Sequence, residues 1–217
     1  MVSKQTRCKN KIKAILSFLG REISDREVGT YRSKRYMQWL EQLRFQHDSG
    51  NEAFKVLIEE LNHLRSKIYY SMHQIRALSR QEPYKTDVRN LVTIPGISSL
   101  SAMILLTVLM DINKFGSFDK LNGYCGLYPG EHSTGEEIPN TGLTNRQNPV
   151  LRELLIENTW IAVRNDPALM MAFKKLSFRM RKNKAIIRIA KKLLSRIWYV
   201  LKNKEAYQIG VVISENN

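Results

Sequence analysis

A seam of apolar residues, Phe54, Leu57, Leu61, Leu64, Ile68, Ile75 and Leu78, constrains this chain more than any other feature. Its steps alternate between three and four residues; Ser71 fills the one position without an apolar side chain, and Met72 beside it covers the gap. This spacing marks a long helix with one continuous apolar stripe, nearly four heptads of a coiled-coil seam. Such a stripe is not stable in open water. The helix, read over Glu52 to Arg80, therefore packs either on the first helices of its own chain or on a second copy. Glu82-Pro83 ends it, because the residue before a proline is steered away from the helical region. The chain thus divides into a helical and coiled-coil region, 1–82, and a second domain, 83–217.

Upstream of the seam, Ile12, Ile15, Leu16 and Leu19 recur at helical spacing among Lys4, Arg7, Lys9, Lys11 and Lys13. They predict a basic amphipathic helix from Thr6 to Leu19 that stops at Gly20. The polar stretch Ser24 to Gly29 leads to a second short helix, Lys34 to Leu43, with Tyr36, Trp39, Leu40 and Leu43 on one side. Arg44 to Asn51, holding His47, Asp48, Ser49 and Gly50, reads as a loop.

Downstream, Ile94-Pro95-Gly96-Ile97-Ser98-Ser99 forms a Pro-Gly turn before a helix expected from Leu100 to Met110. A glycine turn feeding small residues into a helix start points backbone N–H groups outward, a ready place for a phosphate oxygen. Gly96, Ser98 and Ser99 are the candidate contacts. A further helix starts near Ser117, its expected cap, with Asp119 in the first turn and Phe118, Leu121 and Tyr124 on one face. The turn-rich loop Gly126 to Gly135 presents His132, Ser133 and Thr134 together, and loops of that composition often carry function. The segment from Glu136 to Asn148 is irregular, and a helix is expected from about Pro149 to Arg164.

Charge narrows the function. The 217 residues carry 35 Lys+Arg against 20 Asp+Glu, a formal charge of +15, which points to a polyanionic partner, nucleic acid first. Twelve of the cations lie between Lys174 and Lys204, where there is no Asp or Glu. Ile186, Ile189, Ala190, Leu193, Ile197, Trp198 and Leu201 form an apolar stripe there and leave Arg188, Lys191, Lys192 and Arg196 outside it. Such a stretch has no acid of its own to relieve its repulsion, which favours DNA over a merely solvated face. Cys8 and Cys125 form no paired motif, and the four histidines, His47, His63, His73 and His132, lack ligand spacing, so no metal site is expected. Phosphate-loop, dinucleotide and nucleophile-elbow motifs are missing, and no two acids pair for metal-assisted phosphoryl transfer. With no apolar run of membrane-spanning length, the expectation is a cytoplasmic protein without a membrane partner and with no cofactor in this chain.

The blocks IPGIS and Ala102, then FGSFDKLNGYCGLYPGEHSTGEEIPNTGLTNRQNPVLRELLIENTW, resemble the C-terminal domain of insertion-sequence transposases related to the Piv and MooV DNA invertases, the IS110 (IS116/IS902-type) family. The resemblance runs from about Thr6 to about Lys202, with several separated blocks in the same order. Gln147 departs from it, standing where the family usually has a glycine. The resemblance implies an all-α fold, in which a coiled-coil region precedes a compact helical domain with a helix-hairpin-helix-like element. It implies a serine transposase that cuts and joins DNA strands, using a guide RNA. Ser133 is then the nucleophile, with Thr134 as the alternative within the same hydroxyl motif. It further implies an acidic resolvase-like domain supplying Mg2+, which does not precede Thr6 here, and homo-oligomerisation through 54–78. A non-catalytic DNA-binding or dimerisation remnant of a transposase is the alternative.

Overall fold

The computed structural model describes residues 1–21, 33–127 and 148–209. Every regular element among them is a helix, as expected of an all-α chain. Residues group into two compact units, Met1–Gln74 and Ile75–Asn217. That division lies inside the long helix, whereas the sequence places the boundary at residue 82.

The first unit contains α1 (Val2–Phe18), α2 (Lys34–Gln42) and the start of α3 (Asp48–Leu78). Gly20, at φ +64, follows the end of α1 and donates its N–H to the Ser17 carbonyl at 3.1 Å, a left-handed stop of the expected kind. Ser33 caps α2 by accepting from the Tyr36 N–H at 3.0 Å. The stretch Ser24 to Gly29 lies outside the described residues.

Contrary to the loop expected over Arg44 to Asn51, α3 begins at Asp48. The Asn51 amide brackets the backbone of Phe45, accepting from its N–H at 2.7 Å and donating to its carbonyl at 3.1 Å. The chain is thereby folded into a helix start, and Asp48 places a carboxylate at the positive end of the helix dipole. At its other end α3 stops at Leu78, before Pro83, and a succession of turns closes it, with Gln81 N–H donating to the Leu78 carbonyl at 3.0 Å.

The seam divides into two halves with different fates. Phe54, Ile58, Leu61 and Leu64 are buried against Cys8, Ile12 and Leu16 of α1 and Tyr36, Met37 and Leu40 of α2. Its first half therefore folds back on its own chain. Ile58 is buried where the heptad reading put Leu57, which is only partly covered. A helix of 3.6 residues per turn drifts from a 3.5-residue line, and packing on two short neighbours follows the drift. Beyond Leu64, Tyr69 and Tyr70 are exposed and so is Leu78.

The second unit contains α4 (Lys85–Leu91), α5 (Ser99–Leu109), a 3-10 turn (Ile112–Lys114), α6 (Phe118–Cys125), α7 (Pro149–Asn165), α8 (Pro167–Ser177) and α9 (Lys182–Asn203). Ser117 caps α6 as expected. Asn148 and Asp166 each accept from the backbone N–H three residues on, at 3.1 Å and 2.8 Å, and each is followed by a proline at the first helical position. A capping side chain and a preset φ together specify where α7 and α8 begin. The centre of the unit is α9, which packs against α4, α6, α7, α8 and the 3-10 turn. Nine of its residues are buried, among them Ile186, Ile189, Leu193, Leu194, Ile197 and Leu201, each contributing about 1.5–3 kcal/mol through its burial.

Candidate nucleic-acid interface

The Pro-Gly turn precedes α5 as the sequence predicts, and α4, which the sequence reading did not give, leads into it. Ile97 N–H donates to the Ile94 carbonyl at 3.1 Å across Pro95-Gly96, and Gly96 takes φ +92. A second reason for this glycine appears only in the fold. A Cβ there would meet the Asn158 carbonyl oxygen at 2.5 Å and the Ala162 nitrogen at 2.8 Å. Gly96 thus seats the turn against the backbone of α7, and its role is close approach. Ser98 and Ser99 remain exposed at the start of α5.

The turn is locked further by side chains. Ser98 Oγ accepts from the Ser101 N–H at 3.1 Å and lies 2.9 Å from Ser101 Oγ, which donates to Asn158 Oδ1 at 3.1 Å. Asn158 is buried in α7, and its Nδ2 has no hydrogen-bond partner among the described residues. Sequence reading missed Asn158, since an asparagine within a helical stripe gives no periodic signal. On the far flank, Thr93 Oγ1 accepts from the Tyr207 N–H at 2.7 Å, and the Lys204 ammonium meets the Asp87 carboxylate at 2.8 Å. The turn is therefore held from α7 and from the segment after α9.

The four cations expected to face DNA have different surroundings. Arg188 and Lys192 are exposed on α9. Lys191 stands 3.8 Å from the Asp119 carboxylate and over the Phe118 ring. Arg196 is committed inward: both of its terminal nitrogens bond to the carboxylate of Asp166, whose side chain is 1% exposed. Its guanidinium also lies 4.8 Å from the Tyr207 ring centre. Burial pushes the Tyr207 phenol up, the Arg196 charge opposes this and the Asp166 charge adds to it. The expectation of an unrelieved one-signed stretch thus needs correction, because acids from other helices partner Lys191, Arg196 and Lys204.

Sequence reading also missed the surface leading into α9. Leu169, Ala172, Phe173 and Leu176 of α8 turn to the core, with Phe173 packed edge-on to Trp160 at 5.6 Å. Met171, Lys174, Lys175 and Phe178 occupy the opposite face and are all exposed. The signal for it was the same helical spacing, read on the polar side rather than on the apolar one.

Ser133, Thr134 and His132 lie outside the described residues. Among the described residues no three His, Cys, Asp or Glu side chains converge to hold a metal ion, and no helix is long and apolar enough to cross a membrane. Both cysteines are unpaired and buried. Burial pushes the Cys125 thiol up to about 12 and the Cys8 thiol in the same direction, so both stay protonated and poorly nucleophilic.

Residues 88–175 match the family described as Transposase IS116/IS110/IS902. The chain is similar to the transposase for insertion sequence element IS1111A of Coxiella burnetii, 30% identical over 128 residues that make up 57% of this chain and 35% of that protein. It is 29% identical over 126 residues to the putative transposase y4qE of Sinorhizobium fredii, covering 58% of this chain and 29% of that one. A probable family 20 transposase of Pseudomonas aeruginosa is 26% identical over 163 residues, 73% of this chain and 47% of the relative. The chain thus spans between 29% and 47% of the length of these curated relatives.

Proposed function

We propose that this chain, whose residues 88–175 match the Transposase IS116/IS110/IS902 family, holds DNA during transposition and presents a serine nucleophile to a strand. The observation that carries the DNA reading is the cationic surface of α8 and α9. Lys174, Lys175, Arg179, Lys182, Arg188 and Lys192 are all exposed there, and no Asp or Glu lies between Pro167 and Lys204. Cations on one surface displace condensed counterions from a phosphate backbone and bind it without reading sequence. Ser98 and Ser99 at the N-terminus of α5 add hydroxyls and backbone N–H groups suited to one phosphate, in a helix-hairpin-helix-like arrangement. Arg196 and Gly96 support this surface by holding the fold.

Ser133, with Thr134 as alternative, is the proposed nucleophile. Its oxygen attacks a DNA phosphorus, the bond from phosphorus to the leaving sugar oxygen breaks, and the hydroxyl proton passes to a base. The activating group is proposed to come from an acidic domain elsewhere in the transposase, where Mg2+ would be held. The donor set among the described residues does not fit that metal, and no step is drawn through it. A guide RNA and homo-oligomerisation complete the proposal. Since Leu61 is buried within its own chain, association would use α3 beyond Leu64, where Tyr69 and Tyr70 are exposed.

DNA binding is tested by fluorescence anisotropy across a salt series. Replacing Arg188 and Lys192 with Gln flattens the log–log slope by about 0.9 for each phosphate contact removed; an unchanged slope would sink the DNA reading of this surface. Catalysis is tested with a nicked suicide substrate, a separately expressed acidic domain and guide RNA. The expected product is a protein–DNA adduct stable to denaturation and lost in Ser133→Ala. Loss in Thr134→Val alone would move the assignment to Thr134, and no adduct in any mixture would leave binding as the function. Light scattering checks association: a monomer at tens of micromolar, with mass unchanged by Tyr69→Glu, refutes it.

A further inference from the structure

Phe178 sits at the elbow between α8 and α9 and is 91% exposed, a placement that costs an apolar ring its favourable burial. Nothing in the core requires it. The backbone at this point is nevertheless well held: Phe178 N–H donates to the Lys174 carbonyl at 3.3 Å, and the N–H groups of Arg179 and Met180 both donate to the Leu176 carbonyl, at 3.0 and 3.1 Å. The ring is thus carried on an ordered turn. Its φ of −69 and ψ of −28 continue the α8 helix, which puts Met171, Lys174, Lys175 and Phe178 on one outward face at spacings of three, four and seven residues. Arg179, Arg181 and Lys182 follow directly, also exposed.

An exposed ring amid cations, in a stretch from Pro167 to Lys204 that itself holds no Asp or Glu, has few suitable occupants. A protein partner would have to match an apolar spot surrounded by positive charge, and a lipid surface would call for a broader apolar face than one Phe and one Met. Single-stranded nucleic acid combines both needs, with phosphates for the lysines and arginines and flat apolar bases for the ring. We propose that Phe178 stacks on an unpaired DNA base while Lys174, Lys175, Arg179 and Lys182 hold the adjoining backbone. The proposal rests on the DNA reading above and goes beyond it, since a duplex offers no free base face. The family match stops at residue 175 and leaves this ring unassigned.

The experiment compares the full chain with Phe178→Ala, Phe178→Leu and Phe178→Trp on duplex DNA, the same duplex with an unpaired central stretch, and the single strand, at one salt concentration. Stacking of one base corresponds to a loss of about 5- to 150-fold on the unpaired and single-stranded probes for Phe178→Ala. Duplex affinity and its salt slope should stay within about 2-fold, because the cations remain. Phe178→Leu should behave as Phe178→Ala, and Phe178→Trp should restore binding. A 2-aminopurine in the unpaired stretch should be quenched by the parent and not by Phe178→Ala. Equal affinities of parent and Phe178→Ala on all three probes would overturn the stacking role while leaving DNA binding intact. Equal losses on duplex and single strand, or full rescue by Phe178→Leu, would also overturn it. A parent chain that binds none of the probes would remove the DNA reading itself.

Discussion

Replacing Gly96 with alanine tests how the Pro-Gly turn is seated, and three glycines together separate backbone conformation from space. At Gly96 the φ of +92 disfavours any side chain, a cost of about 1–2 kcal/mol. The added Cβ would also lie 2.5 Å from the Asn158 oxygen, 2.8 Å from the Ala162 nitrogen and 2.9 Å from the Ala162 Cβ. Two of these atoms are backbone and cannot swing away, so the turn or α7 must shift, at a further cost of about 1–3 kcal/mol. The sum, about 2–5 kcal/mol, corresponds to a fall in melting temperature of roughly 5–20 °C for a chain of this size. Gly20 also has positive φ, +64, but no atom of the described residues lies within 4 Å of a built Cβ, so Gly20→Ala carries only the conformational part, about 1 kcal/mol. Among the described residues a Cβ at Gly116 is met only by Lys120 Nζ, the far end of a long side chain, at 3.6 Å, and Gly116→Ala should stay within about 0.5 kcal/mol. Calorimetry on the full chain gives the three values. If Gly96→Ala cost no more than Gly20→Ala, the close approach to α7 would not be what holds the turn.

Arg196→Gln would leave Asp166 buried and charged without its partner, lowering stability by about 3–5 kcal/mol in chemical denaturation; adding Asp166→Asn, which keeps an acceptor for Leu169, should recover most of that loss, and simple additivity would contradict the pairing. For Cys125, whose thiol rises from the ordinary 9.0 to about 12 on folding, the unfolded thiol ionises first and the unfolded state binds fewer protons. Stability is then independent of this group below pH 9 and falls above it by about 1.4 kcal/mol per pH unit until pH 12. Urea melts of the parent and Cys125→Ala should show that slope as their difference, and parallel curves would exclude it. Asn122 is fully buried in α6, and neither of its amide atoms has a partner among the described residues, so Asn122→Leu should leave stability unchanged or raise it by about 1–3 kcal/mol. A clear fall in melting temperature would show that the amide is satisfied in solution.

What local rules govern was open to reading from residues alone. The cap at Ser117, the Pro-Gly turn, the stop at Gly20 and the apolar stripe of α9 each depend on residues within one or two helical turns. The start of α3 was misread because Asp48 to Asn51 have loop composition, and the Asn51 bracket on Phe45 that overrides it leaves no pattern. Among the site residues, Arg188 and Lys192 stay exposed as expected, and Ser133 and Thr134 lie outside the described residues.

The sequence by itself determined the apolar stripes, the cap at Ser117, the excess of positive charge and the blocks that resemble the transposase family, since each is written in composition or in spacing along the chain. Only the tertiary structure decided which cations remain available. Asp166 and Arg196 are thirty positions apart, and the charge run containing Arg196 holds no acid; their bond exists because α8 begins beside α9. Gly96 likewise met its reason in Asn158 and Ala162, more than sixty positions away. Coulomb attraction and steric exclusion act through space, and spacing along a chain specifies distance only within a single helix or turn.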